Sequence, residues 1–211
     1  MKPINIVWVL GVAILGGSCS RETPKPAPAL PPQSTVSTQE NHVALARGRR
    51  ITAQAFGLLS TNLLRAIEQH GVSNALPYCS AQAIPLTSLV AATNDVSLRR
   101  VSHKARNPAN RANDAEQALL TQLQADLNAG RSLQPTVVGT GSETVTFYAP
   151  IVISNALCLK CHGRPEDDIA LENLVTIRRL YPADAATGFK LGDLRGLWRI
   201  DFRRSTLAQE N

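Results

Sequence analysis

The sequence predicts an α+β domain, in which an antiparallel sheet is flanked by helices and one long helix lies near the N-terminus. Apolar residues recur at helical spacing over residues 41–70 and 113–129, as expected of helices that bury one face. Apolar and polar residues alternate over residues 143–154 and 193–204, as in half-buried strands. Because helices come first and strands follow, a mixed antiparallel architecture is favoured over alternating parallel units.

The chain begins with the features of a secretory signal peptide. Lys2 provides a positive charge, and residues 6–15 (IVWVLGVAIL) form an uncharged apolar run, shorter than the ~20 residues that a membrane span needs. Small residues then lead to Cys19 in a context that resembles the lipobox of bacterial lipoproteins, although Gly16 takes the usual leucine position. We therefore expect a signal peptide at 1–18 and a periplasmic lipoprotein that a lipid on Cys19 anchors to a membrane. Ordinary cleavage nearby would instead leave a soluble exported protein.

A proline-rich linker follows Cys19. Residues 23–38 (TPKPAPALPPQSTVST) are rich in Pro, Ser and Thr, a composition typical of extended, semi-rigid spacers. We predict that residues 19–39 form this linker, residues 40–205 form one domain and residues 206–211 form a tail.

Two helices and a strand are expected in the first half of the domain. Gly71 would end the long helix, and Ser73 would cap a second helix through residues 74–84 that Pro85 limits or kinks. Residues 96–102 are a possible strand.

The second half of the domain is expected to contain more strands. Asn113 and Glu116 have the spacing of a capping box at the start of the helix at 113–129. Gly139 and Gly141 indicate a hairpin that leads into the strand at 143–154.

Two further elements complete the expected fold. Residues 166–180 are predicted to be helical. In the last strand, three apolar residues alternate with three charged ones: Trp198, Ile200 and Phe202 with Arg199, Asp201 and Arg203. This alternation predicts a strand that is buried on one side.

Composition narrows the classes of function. Apolar residues make up 44% of the chain, enough for a core, and the formal net charge is +6. Lysine and arginine are scattered rather than gathered in a stripe, so we expect no nucleic-acid binding and only a general attraction to acidic partners or anionic lipid.

The residues CLKCH, at 158–162, carry the chemistry. A dithiol redox pair would need a thioredoxin-like βαβ context, which the sequence lacks, and a zinc site would need a fourth ligand beside Cys158, Cys161 and His162. The third interpretation is c-type haem attachment, in which both thiols add to the haem vinyl groups and the adjacent histidine binds the iron. Since such haem is attached outside the cytoplasm, the predicted export favours one covalent haem c here.

The residues leave the ligand on the other side of the iron open. The only methionine, Met1, would leave with the signal peptide, so His/Met ligation is excluded. The candidates that remain are His42, His70, His103, Cys79, Lys104 or an open position.

Four segments, taken in order, resemble the family of exported c-type haem proteins with a PAS-like haem domain. They are PYCS at 77–80, RRVSHKARNPAN at 99–110, CLKCHG at 158–163 and YPADAATGFKLGDLRGLWRI at 181–200. The resemblance implies a PAS-like fold, in which an antiparallel sheet flanked by helices holds one covalent haem. It also implies that Cys79 binds the iron opposite His162.

The same resemblance marks five residues that would support the haem: Arg106, Asn107, Asn110, Arg195 and Trp198. An arginine suits paired hydrogen bonds to a haem propionate, whereas the asparagines equally suit turns. The four cysteines would then have four uses, because Cys19 takes lipid, two attach haem and Cys79 binds iron.

We expect a non-enzymatic protein: a monohaem, c-type cytochrome-like redox protein of the cell envelope, acting in electron transfer or redox sensing with an unidentified redox or signalling partner protein. The alternative is a haem-based sensor of a diatomic gas, whose Cys79 dissociates on reduction. A peroxidase-like enzyme would need an open iron, against which Cys79 argues. A zinc-bound or metal-free adhesion module is the remaining interpretation.

Overall fold

The computed structural model of the chain describes residues 34–208, so the predicted signal peptide, Cys19 and most of the predicted linker lie outside the described residues. The elements in chain order are α1 (Thr38–Thr93), β1 (Ser97–Val101), a 3-10 turn (Pro108–Asn110), α2 (Asp114–Asn128), β2 (Thr136–Gly139), β3 (Thr144–Val152), α3 (Ala156–His162), α4 (Leu171–Leu180), β4 (Leu194–Arg203) and α5 (Arg204–Leu207). In this range no helix has the length and apolar character needed to cross a membrane.

The four strands form one antiparallel sheet in the order β1-β4-β3-β2. Strand β4 lies inside the sheet and pairs with β1 through Leu98 opposite Ile200, and with β3 through Phe147 opposite the same residue. The predicted α+β class, the antiparallel sheet and the long N-terminal helix are confirmed, as is the β2–β3 hairpin.

Helix α1 folds back on itself at Gly71. This residue has φ 74° and ψ 171°, a conformation almost restricted to glycine. Two hydrogen bonds join distant parts of the helix: Nδ2 of Asn94 donates to Oε1 of Gln54 at 3.0 Å, and the Tyr78 hydroxyl donates to Oδ1 of Asn62 at 3.1 Å. The two halves of α1 therefore run antiparallel as a helical hairpin, and the predicted break at Gly71 is confirmed.

The second half of α1 continues beyond the predicted limit. It passes Pro77 and Pro85 and ends at Thr93, so of the two alternatives predicted for Pro85, a limit or a kink, the limit is wrong. Each proline costs a main-chain hydrogen bond. Packing offsets this cost, because Thr87 and Val90, two and five residues after Pro85, are buried.

Both faces of the sheet are covered. The α1 hairpin packs on one face with Ile51, Ala55 and Val90 against Phe147 and Trp198. Helix α2 packs on the other face through a second cluster: Leu120 and Leu123 with Val101, Tyr148 and Leu197.

The charged side of β4 is covered by α2. Oε1 of the buried Glu116 accepts hydrogen bonds from Nη2 of Arg99 at 2.6 Å and from Nη1 of Arg199 at 2.7 Å. The carboxylate also completes the predicted capping box, since its Oε2 accepts from the Asn113 N–H at 2.9 Å. The alternation in β4 is confirmed: on its polar side Arg199 and Asp201 are half-buried in ion pairs, whereas Arg203 is exposed.

Helix α4 begins later than predicted. It starts at Leu171 rather than at residue 166, because the preceding segment closes into a turn around Arg164. The Arg164 N–H donates to Oδ2 of Asp168 at 2.8 Å, and Glu166 adopts a left-handed φ of 69°. A helix cannot pass through that conformation.

The described chain starts and ends side by side. Arg204, just after β4, donates to Oε1 of Glu40 at 2.7 Å and to Oγ of Ser34 at 2.8 Å. The Ser34 N–H in turn donates to the carbonyl oxygen of Gly139 at 3.2 Å. We call this group of contacts the Arg204 latch.

Candidate functional site

The CLKCH motif is a short helix whose start is fixed by Asn155. Its Oδ1 accepts from the N–H groups of Leu157 at 3.0 Å and Cys158 at 3.3 Å. Cys158 and Cys161 are free, half-buried thiols three residues apart, which places them on one side of α3.

The two thiols pack against different apolar clusters. Cys158 touches the cluster of Ile153, Ala186 and Phe189. Cys161 touches the cluster of Leu76, Ile169, Leu174 and Ile177, and burial raises its pKa to about 11. The short helix is therefore held from both sides although none of its own residues is fully buried.

The His162 imidazole is held in one tautomer. Its Nδ1 lies 2.9 Å from the carbonyl oxygen of Ala186. A carbonyl can only accept, so Nδ1 carries the proton and Nε2 keeps its lone pair. Burial, and then the charges of Arg195 and Arg106, hold the imidazole pKa well below its usual value. The ring is neutral, with Nε2 available as a metal ligand.

Cys79 lies near the motif, on the second half of α1. Leu76, one turn before it, packs in the cluster that Cys161 touches. Negative charge on Cys79 also raises the pKa of the Cys161 thiol. Burial raises the Cys79 pKa, while the positive charges of Arg100 and Arg106 oppose that rise. The fold thus brings Cys79 into the electrostatic neighbourhood of the motif.

Arg106 is bound to protein groups on every side. Its Nη2 donates to the carbonyl oxygen of Cys161 at 2.6 Å, and its Nε pairs with Oδ1 of Asp184 at 3.1 Å. Asn107, the next residue, accepts from the Ala109 N–H at 2.9 Å and caps the 3-10 turn. In this structure Arg106 joins the end of α3 to the loop before β4, and Asn107 fixes the 3-10 turn.

Arg195 is the second arginine at the site. Its Nη1 donates to Oγ of Ser102 at 2.8 Å and to the Lys104 carbonyl at 3.1 Å, and its guanidinium lies 5.3 Å from the centre of the Phe189 ring. Within residues 34–208 its buried Nε has no hydrogen-bond partner. Burial, and then the charges of Arg106 and Arg100, lower its pKa to about 10.

A third arginine, Arg100, was missed by the sequence reasoning. Its guanidinium lies 5.9 Å from the centre of the Trp198 ring, and burial lowers its pKa. Trp198 itself is a buried residue of the core between α1 and the sheet. The site is therefore cationic, with Asp184 the one carboxylate that forms an ion pair with an arginine of this group among the described residues.

The other candidate ligands differ in position. His42 and His70 are exposed on the first half of α1, and His103 is exposed in the loop after β1, edge-on to Phe189 at 6.4 Å between ring centres. Nζ of Lys104 donates to the Thr187 carbonyl and lies over the Phe189 ring. Residues 34–208 contain no group of three or more His, Cys, Asp or Glu side chains that could hold a metal ion together.

Asp184, Ala186 and Phe189, in the loop before β4, also belong to the site and were not singled out from the sequence. Ala186 acts through its main chain, for which a sequence carries no side-chain signal. Phe189 is buried and edge-on to His162 at 6.4 Å between ring centres.

Residues 30–203 match the model of the Tll0287-like family. The crystal structure of the cyanobacterial haem protein Tll0287 is similar with a TM-score of 0.54 and 25% sequence identity, over 80% of this chain and 98% of that chain. None of the curated proteins matches the chain.

Proposed function

The chain belongs to the Tll0287-like family, and from that premise we propose that it is a haem-binding redox protein of the cell envelope and not an enzyme. Cys158 and Cys161 would attach one haem c covalently, and His162 and Cys79 would be its axial ligands. When bound, the haem supplies a one-electron couple at its iron. The residues of this chain would hold and orient it.

The observation that carries this proposal is the state of His162. A histidine that binds iron must present an unprotonated nitrogen, and its other nitrogen is usually fixed by a hydrogen bond. Both conditions are met, because Nδ1 donates to the Ala186 carbonyl and the lowered pKa keeps the ring neutral.

The cationic surroundings support the same proposal. Haem carries two propionates, and arginine is well suited to bind carboxylates. The buried Nε of Arg195 lacks a hydrogen-bond partner within residues 34–208, and Arg100 has no carboxylate partner there. A ligand that brings negative charge fits these side chains, and leaving such donors unpaired is costly.

The proposed cellular context depends on the sequence before residue 34. The signal-peptide-like start, the lipobox-like context of Cys19 and the proline-rich segment after it support a lipid-anchored periplasmic protein. The partner would be a redox or signalling protein, and the net charge of +6 favours an acidic one.

Covalent attachment has a direct test. We expect the full-length protein, made in a host able to attach haem, to be coloured and to keep its haem after denaturation, with the mass of one haem added. The variant C158A/C161A should lose the bound mass entirely, whereas Cys79→Ser should keep it. A wild-type protein that is colourless and lacks the added mass would falsify the proposal.

A gas sensor is the second candidate function, and Cys79 favours it through its geometry rather than through its acidity. Within residues 34–208 no hydrogen bond holds the free, half-buried Cys79 thiol, so it could leave the iron on reduction.

Carbon monoxide, added to the reduced protein, separates the two functions. For an electron carrier we expect no spectral change in the wild type and strong binding by Cys79→Ala, which opens the position. Equal binding by both proteins would favour the sensor. If the two proteins also share one spectrum before the gas is added, Cys79 is not the ligand.

A further inference from the structure

Two side chains donate to the carbonyl oxygen of Ala186. Nδ1 of His162 donates to it at 2.9 Å, and Nη2 of Arg106 donates to it at 3.3 Å. A carbonyl oxygen has two lone pairs and can accept from both donors, so Arg106 and the His162 ring are held at the same atom.

The position of Arg106 is fixed by a closed set of contacts. Asp184 receives its Nε at 3.1 Å and its Nη2 at 3.2 Å, and the ion pair is mostly buried, with 12% and 8% of the two side chains exposed. Oδ1 of Asp184 also accepts from the Ala186 N–H at 2.9 Å. Ala186 is therefore bound at both of its main-chain groups: Arg106 donates to its carbonyl oxygen, and Asp184 accepts from its N–H.

The same arginine holds the helix that carries His162. Its Nη2 donates to the carbonyl oxygen of Cys161, the residue just before the histidine, at 2.6 Å. One guanidinium thus ties the end of α3 to the loop that receives the imidazole. These contacts set both the place of the ring and the direction of its Nδ1–H.

We propose that Arg106 and Asp184 are positioning residues that orient the His162 imidazole and, through the Ala186 carbonyl, adjust how strongly it donates to iron. This inference rests on the proposed function. A strong bond from Nδ1–H to the carbonyl makes the imidazole more electron-rich and favours ferric iron. Arg106 also places a positive charge beside the ring, which favours the reduced state, and we expect this charge to outweigh the effect of the hydrogen bond on the potential. Asp184 neutralises part of that charge and opposes the effect.

The variants should therefore shift the reduction potential in opposite directions. Arg106→Gln is expected to lower it, and Asp184→Asn is expected to raise it. Arg106→Lys keeps the charge but cannot donate in a fork to several oxygens, so it should restore the potential in part without restoring the geometry of His162.

Two measurements on the full-length protein test the inference. The first is the reduction potential of the haem-loaded variants by spectroelectrochemistry. The second is the exchange rate of the His162 Nδ1 proton by NMR in the haem-free chain, which should rise several-fold in Arg106→Gln. Arg99→Gln is the matched control, because Arg99 lies in β1 and pairs with Glu116 of α2 instead of the loops around His162, so its loss should change neither quantity.

The possible results separate this inference from the haem proposal. If the haem-loaded Arg106 and Asp184 variants keep the wild-type potential and the haem-free Arg106→Gln chain keeps the wild-type exchange rate, the inference is wrong and haem binding stands. If the wild type carries no haem, the proposed function fails. If, in addition, the haem-free Arg106→Gln and Arg106→Lys chains keep the wild-type exchange rate, the positioning role fails as well. Opposite shifts of the potential together with faster exchange support it.

Discussion

Replacing Glu116 with glutamine is expected to lower the free energy of unfolding by about 3–5 kcal/mol, the typical cost of removing one partner from a buried ion pair. The Glu116 side chain is fully buried, and its Oε1 binds both Arg99 and Arg199. Its Oε2 caps α2 through the Asn113 N–H. An amide has one oxygen, so glutamine can keep the cap or the arginines, but not both.

Urea unfolding of the wild type and Glu116→Gln would measure this loss as a lower midpoint at unchanged slope. Asp126→Asn is a suitable control, because Asp126 pairs with Arg131 at the exposed end of the same helix and should leave the midpoint almost unchanged. Equal midpoints for wild type and Glu116→Gln would mean that the sheet and α2 are held by their apolar contacts alone.

Gly48→Ala is expected to destabilise the protein by about 1–3 kcal/mol, the usual range for overfilling a packed interior. Gly48 lies in the first half of α1, where the helix crosses the sheet above Phe147. A Cβ at this position would overlap the buried Phe147 ring. The ring lies in a strand in the middle of the core and cannot turn away, so helix and sheet would have to separate.

Gly57→Ala provides the opposite result in the same helix. No atom lies within 4 Å of a Cβ added at Gly57, and alanine favours a helix over glycine by about 0.5–1 kcal/mol. Thermal unfolding should therefore give a higher midpoint for Gly57→Ala and a lower one for Gly48→Ala. Two shifts of the same sign would show that helix propensity, not contact with Phe147, controls this position.

Local signals made most of the fold predictable. The capping box at Asn113, the break at Gly71 and the alternation in β4 depend on neighbours in sequence, and the structure confirms all three. Predictions failed where distant packing decides the result. Helix α1 continues past Pro85 because Val90 is buried against the sheet. The ion pair of Glu116 in α2 with Arg199 in β4, 83 residues apart, was likewise not predicted.

Part of the candidate site could likewise be predicted from the sequence, and part could not. Cys158, Cys161 and His162 form a motif whose spacing has a chemical reason, and Cys79 was added by resemblance. The structure brings all four into one neighbourhood. The contacts that prepare His162 could not be predicted, because they run through the Ala186 carbonyl and through Asp184, which lies 78 residues after its partner Arg106.

Strand β4 separates the candidate site from the attachment end of the domain. It begins beside Arg195 and runs for 10 residues to the Arg204 latch, a distance of roughly 30 Å. Whatever precedes Ser34 is joined to the domain at the latch. Under the proposed function, a lipid on Cys19 would tether the domain at the latch end, opposite the proposed haem site, and an electron acceptor could approach that site from the other end.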